Sequence, residues 1–200
     1  MIDEFYKTLY SENRGWNTVK PNKDEKDRWL VINYLLKTLN LSNPDIIDVG
    51  CGRGVFSNLI SSYGKAVGID PVSSVIEYGK SIYPGLELHA FSLEDYVYIF
   101  PDKKYDLVLC TEVLEHVVDK VGFINRLKGL VKDGGHIILT TPRKEKQEEW
   151  INRFGDPKQP IEEWISTDDL IKIIDAAGLN RLDYKTASWF DIYQIHLLSV

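Results

Sequence analysis

Ile46-Ile47-Asp48-Val49-Gly50-Cys51-Gly52-Arg53-Gly54 is the stretch on which the fold turns. A short apolar run enters three closely spaced glycines, and Val55, Phe56, Leu59 and Ile60 then recur at helical spacing. Glycine there lets the backbone turn tightly and lets a ligand approach without a Cβ clash. The start of the following helix adds oriented N–H groups. A second apolar run, Ala66-Val67-Gly68-Ile69, ends at Asp70, twenty residues after Gly50. A carboxylate at that strand tip can accept hydrogen bonds from both ribose hydroxyls of an adenosine ligand. Pyrophosphate binding asks for G-x-G-x-x-G, whereas here the third glycine comes one residue early. A nicotinamide oxidoreductase is therefore not indicated.

Outward from this loop, strands and helices alternate. Gly64 is a candidate helix stop, Ser74-Val75-Ile76-Glu77 has capping-box spacing, and Pro84-Gly85 marks a turn before a third strand, Leu86 to Ala90. Leu107 to Cys110 is a fourth strand. Phe123, Ile124, Leu127, Leu130 and Val131 repeat at helical spacing, with Asp133-Gly134-Gly135 as the expected stop. Ile137-Ile138-Leu139 is a fifth strand, closed by Pro142. Nearly continuous apolar strands are the mark of a parallel sheet covered on both faces. Later, Thr167-Asp168-Asp169 opens a helix that Gly178 ends. Strands follow near Leu182 to Thr186 and Ile192 to Leu198, the second with Tyr193, Ile195 and Leu197 on one face. The expected architecture is α/β: a Rossmann-like, doubly wound, mostly parallel seven-stranded sheet with helices on both faces.

The 200 residues suit one domain. We divide it into an N-terminal helical cap (1–40), a ligand-binding core (41–142), a substrate-side insertion (143–167) and a final helix with two strands (168–200). Net charge is −6 and no basic block occurs, which disfavours nucleic acid as a partner. No apolar run approaches the ~18 residues of a membrane span. Met1-Ile2-Asp3-Glu4 lacks the start of a signal peptide, and two cysteines make no disulfide framework. A reduced, cytoplasmic setting is the expectation.

Four segments together resemble the motifs of the class I S-adenosylmethionine-dependent methyltransferases. They are Ile46 to Gly54, Val67-Gly68-Ile69-Asp70-Pro71, Tyr105 to Val117 with its Glu-Val-Leu-Glu-His run, and Leu130 to Pro142. That run is frequent in the branch resembling ubiquinone-biosynthesis O-methyltransferases and natural-product methyltransferases. The resemblance implies S-adenosylmethionine as cofactor and S-adenosylhomocysteine as product. It implies that Gly50, Cys51, Gly52 and Gly54 pack on the methionyl part. Asp70 takes the ribose hydroxyls, Pro71 lies beside the adenine, and Ser92, Leu93 and Glu94 contact the adenine edge. Cys110 lies near the methionine carboxylate or sulfonium, or is simply a small buried residue. Asp48 supports the loop and the ligand's ammonium, or hydrogen-bonds loop amides.

Methyl transfer from a sulfonium needs alignment and desolvation, and a hydroxyl nucleophile gains from a base. His116 is the catalytic candidate, expected on a helix after the fourth strand, with Glu112 as the second; a packing histidine is the alternative. His89, His136 and His196 carry no motif and read as structural. Glu112, Glu115 and His116 also resemble the metal ligands of bacterial RNA-terminal 2′-O-methyltransferases, if both acids share a helix face. Those enzymes add a downstream histidine, and residues 143 to 190 hold none, so no metal is expected. The expected function is methyl transfer to a small organic acceptor, with a hydroxyl oxygen favoured. RNA 2′-O-methylation and a cofactor-binding partner subunit without activity of its own are the alternatives. Trp16, Trp29, Trp150, Trp164 and Trp189 all lie outside the motif block. The segments before Leu41 and between Arg143 and Ser166 are therefore candidates for an aromatic-lined acceptor cleft, or for covers of the sheet. Arg143, Lys144 and Lys146 interleave with Glu145, Glu148 and Glu149, which reads as a solvated face.

Overall fold

The computed structural model describes Phe5, Thr8 and residues 18–156 and 159–200; Trp16 lies outside the described residues. Helix α1 (Lys23–Leu39) opens with a capping box. Asn22 accepts from the Glu25 amide at 2.9 Å, and Glu25 accepts from the Asn22 amide at 2.7 Å. The α1 positions that face inward are Glu25, Arg28, Ile32, Leu35 and Leu36. Strand and helix then alternate through β1 (Asp45–Val49), α2 (Val55–Ile60), β2 (Lys65–Asp70), α3 (Ser73–Ile82), β3 (Glu87–Ala90), α4 (Leu93–Ile99), β4 (Tyr105–Thr111), α5 (Lys120–Gly129) and β5 (Val131–Pro142). The last third holds α6 (Gln147–Phe154), α7 (Thr167–Ala176), β6 (Asn180–Ala187) and β7 (Tyr193–Ser199).

The seven strands run in the order β3-β2-β1-β4-β5-β7-β6. The first five are parallel, and β7 lies antiparallel between β5 and β6. This is the α/β sheet that the sequence predicts. Strand alternation divides its side chains between two cores. Ile47, Val49, Val108, Cys110, Ile137 and Leu139 pack with Phe123, Leu127, Leu170 and Ile174 from α5 and α7. Ile46, Leu107, Leu109, Ile138, Ile195 and Leu197 pack with Ile32, Leu35, Phe56 and Ile60 from α1 and α2. Strand order reverses between β1 and β4, so a ligand crevice is expected outside the carboxyl ends of those two strands. Among the described residues no helix is long and apolar enough to cross a membrane.

Two local expectations are corrected. α3 starts at Ser73 behind Val72, and no side chain caps it, so Ser74 to Glu77 is not a capping box. α5 stops at Gly129; Asp133-Gly134-Gly135 belongs to β5, in the stretch where its register against β4 shifts. In β7 Tyr193, Ile195 and Leu197 do share one face, on the second core, and the opposite face is buried as well, with Leu198 in the first core. His196 is thereby buried, and burial pushes its imidazole down to about 4, which fits the structural reading.

Candidate functional site

The glycine loop lies at the carboxyl end of β1, at the reversal point. Gly50, Gly52 and Gly54 all have positive φ, at 73°, 53° and 84°. A Cβ on Gly50 would lie 2.1 Å from Cγ2 of Val113, so the loop and the segment after β4 approach at glycine distance. The Gly50 and Cys51 amides both donate to the Ile69 carbonyl, at 2.8 and 3.0 Å. Asp70 completes the clamp: its two carboxylate oxygens accept from the Gly52 amide at 3.0 Å and the Val72 amide at 2.9 Å. Burial raises its proton affinity, opposed by those two amides. α2 spans six residues, too short to supply the helix N-terminal field that the sequence suggests.

Asp48 is fully buried. One oxygen accepts from the Ser57 hydroxyl of α2 at 2.6 Å, and the other has no protein partner. Its structural bond is therefore to a hydroxyl rather than to loop amides. Burial, with the charge of Asp70 nearby, pushes its carboxyl up to about 7. Cys51 and Cys110 are buried thiols, and Cys110 lies wholly within the first core. Pro71 is exposed beside the β2 tip. Ser92 is the N-cap of α4, its hydroxyl accepting from the Asp95 amide at 3.0 Å; Leu93 is in the first core, and Glu94 is exposed, 3.6 Å from Arg126.

Beyond β4, Glu112 and Glu115 do not share a helix face. Glu112 takes φ 56° at the strand end, and only a single 3-10 turn, Leu114–His116, follows. The two acids reach the end of β5 separately. Glu112 accepts from the Thr140 hydroxyl at 2.7 Å, and Glu115 from the Thr141 hydroxyl at 3.0 Å. Burial pushes each carboxyl up to about 8. His116 sits on the 3-10 turn, with Nδ1 2.7 Å from the Ile161 carbonyl and Nε2 3.8 Å from Glu115.

Sequence reading missed Arg28. Its guanidinium is buried, 4.4 Å over the Tyr193 ring and 3.7 Å from Glu112, and its Nε and Nη1 have no hydrogen-bond partner in the chain. The signal was present: Glu25 and Arg28 occupy the same helical stripe as Ile32 and Leu35. Glu25 in turn holds Arg53 of the glycine loop at 2.8 Å, and this pair is also buried.

The methyltransferase domain family matches residues 25–184. A putative methyltransferase of Invertebrate iridescent virus 6 is 30% identical over 139 residues, which are 68% of this chain and 51% of that protein. The chain belongs to the class I S-adenosylmethionine-dependent methyltransferases.

The chain thus spans about half the length of the viral relative. A ubiquinone biosynthesis O-methyltransferase of Vibrio atlanticus (strain LGP32) is 30% identical, over 76% of this methyltransferase and 70% of that enzyme. Solved structures share its fold at low identity. The N-methyltransferase NodS from Bradyrhizobium japonicum WM9, in complex with S-adenosylhomocysteine, has a TM-score of 0.77 at 14% identity, covering 99% of this chain and 98% of that one. Magnesium protoporphyrin IX methyltransferase from Synechocystis PCC 6803, with S-adenosylhomocysteine bound, has a TM-score of 0.70 at 18% identity, with 98% of each chain covered. In this methyltransferase three of the tryptophans serve the sheet cover. Trp29 packs against Phe56 and Tyr63, and Trp150 packs against Trp164, all on the second core. Trp189 is half exposed in the turn between β6 and β7.

Proposed function

We propose that this chain transfers the methyl group of S-adenosylmethionine to a hydroxyl oxygen of a small organic acceptor. The cofactor fits the residues present. The Gly50 approach leaves no room for a side chain, and three buried polar atoms lack partners: one Asp48 oxygen and two Arg28 nitrogens. An orphaned buried charge is unfavourable until something pairs with it. Asp48 suits the ligand's ammonium, Arg28 its carboxylate, and Asp70 the ribose hydroxyls through the remaining lone pairs of its oxygens. Gly50, Cys51, Gly52 and Gly54 would form the floor under the methionyl part, with Cys110 behind it. Pro71, Ser92, Leu93 and Glu94 would flank the adenine. The cofactor supplies a methyl group already activated by the sulfonium.

The oxygen acceptor is carried by His116. A carbonyl oxygen only accepts, so the 2.7 Å contact to Ile161 places the hydrogen on Nδ1 and leaves Nε2 as the acceptor nitrogen. Such a ring at the carboxyl edge of the sheet can take the proton of an acceptor hydroxyl at Nε2. Glu112, raised toward neutrality, would line the same end. Among the described residues, the segment 159–165 beside His116 would close the acceptor side, and the two buried thiols support a reducing, cytoplasmic setting. Calorimetry with S-adenosylhomocysteine, followed by labelled-methyl transfer to fractionated cell extract and NMR of the product, tests the reading. An O-methyl product is expected. An N-methyl product would overturn the oxygen assignment, and absence of any S-adenosylhomocysteine binding would overturn the cofactor site.

A further inference from the structure

His116 is flanked by a strap, residues 161–165, which is tied down along its length. The Glu163 amide donates to the Glu115 carbonyl at 2.9 Å. The Ile165 carbonyl accepts from the Lys144 amide at 3.1 Å and from Nε2 of Gln194 at 3.2 Å. Lys120 pairs with Glu163 at 2.9 Å. The strap is therefore joined to the 3-10 turn, to the end of β5 and to β7.

Two strap groups face the imidazole. One is the Ile161 carbonyl already described. The other is Glu162, whose Oε2 lies 3.6 Å from Nδ1. Its Oε1 accepts from the indole of Trp164, which is buried in the second core and so fixes the carboxylate. The Glu162 side chain is 13% exposed, and Oε2 is buried without any hydrogen-bond partner. A buried carboxylate oxygen with no donor is unfavourable unless a cation stands beside it. The neighbouring group able to become one is His116.

We propose that Glu162 is a positioning residue: held by Trp164, it stabilises His116 in the protonated form that proton removal from the acceptor creates. The inference rests on reading His116 as the base. The acceptor O–H proton moves to Nε2, the ring becomes a cation, and that proton later leaves to solvent. The cation then lies between Glu162 at Nδ1 and Glu115 at Nε2. Glu115 contributes less charge, because burial and the charge of Glu162 itself hold it toward neutrality. The other charged groups on the packed elements are Arg28 of α1, 3.7 Å from a Glu112 that burial holds toward neutrality, and Lys120, which is paired with Glu163.

The test needs no acceptor. The four histidines of the whole chain are followed by 15N NMR against pH, with His116 assigned through its loss in His116→Gln. Glu162→Gln keeps an acceptor for the Trp164 indole but removes the charge. Loss of the neighbouring negative charge is expected to move the His116 midpoint to lower pH. Glu163→Gln, on the same strap, should produce no comparable shift. An unchanged midpoint in Glu162→Gln with native near-UV dichroism, or an equal shift in Glu163→Gln, overturns the proposal. If Glu162→Gln fails to fold, Glu162→Asp draws the charge back from the ring and must also lower the midpoint. Full turnover in His116→Gln would overturn His116 as base, and with it the catalytic use of Glu162, while leaving the titration shift standing. The two failures are thus separable.

Discussion

Gly50 and Asp70 hold the glycine loop from opposite sides, and each makes a sharp prediction. Gly50→Ala places a non-glycine residue at φ 73° and its Cβ against Val113. The left-handed conformation alone costs about 1–2 kcal/mol, and the loop must also shift. Calorimetry should show lost S-adenosylhomocysteine binding and a lowered melting temperature. Asp70→Ala strands the Gly52 and Val72 amides as well as the expected ribose contact. Hydrogen bonds to a charged group are worth roughly 1.5–3 kcal/mol, so affinity should fall at least about tenfold, and retained affinity would sink the assignment. Both residues were legible because their signal is local: glycines at fixed spacing and an acid at the next strand tip. Arg28 was not, because what makes it special is the company of Glu112 and Tyr193, which are far away in sequence. Glu162 was hidden for the same reason, its partner His116 lying 46 residues earlier.

At the scale of elements, the strand–helix alternation was readable because both faces of the sheet are apolar. The misread boundaries are places where tertiary contacts overrule local spacing. Glu112-Val113-Leu114-Glu115 has helical spacing, yet β4 carries on to Thr111 and the backbone reverses its φ at Glu112, so each acid meets its own threonine of β5. Asp133-Gly134-Gly135 has the composition of a helix stop, yet β5 already begins at Val131. α1 shows the converse, an ordinary capped helix whose second duty is invisible locally. Through Glu25 it grips Arg53 inside the glycine loop, and the pair is buried. Removing one partner of a buried pair typically costs about 3–5 kcal/mol. Glu25→Gln keeps part of the capping box but leaves Arg53 uncompensated. Urea unfolding should show a loss of about 3 kcal/mol, and calorimetry a weaker S-adenosylhomocysteine complex. The exposed pair Lys23–Asp27 on the same helix is the control, since Asp27→Asn should change stability by under about 0.5 kcal/mol.

Across the whole molecule, the carboxyl edge of the sheet gathers buried carboxyls that the fold holds toward neutrality. Asp48 is raised to about 7, and Glu112 and Glu115 to about 8, in each case chiefly by burial. In the unfolded chain such groups ionise near 4. Between those values the native state binds more protons than the unfolded state, so unfolding releases protons and stability falls as pH rises. His196 works in the opposite sense. Pushed down to about 4, it takes up a proton on unfolding below about 6.5, so its contribution is lost as pH falls from there. Above about 6.5 His196 contributes nothing further, and Asp48 fades as pH passes about 7. From about 7.5 to about 8 the decline then belongs chiefly to Glu112 and Glu115. Each carboxyl can remove up to about 1.4 kcal/mol per pH unit across its window, with Arg28 beside Glu112 moderating that one. Calorimetric melting of the ligand-free chain should therefore show a temperature that falls steadily from pH 6.5 to 8.5. Glu115→Gln keeps an acceptor for the Thr141 hydroxyl and cannot ionise, so above about pH 7.5 its profile should decline about half as steeply. A flat wild-type profile would mean that the acids at this edge are not held neutral by the fold. An unaltered slope in Glu115→Gln would shift the whole effect to Glu112, whose carboxyl would then titrate against Arg28 alone.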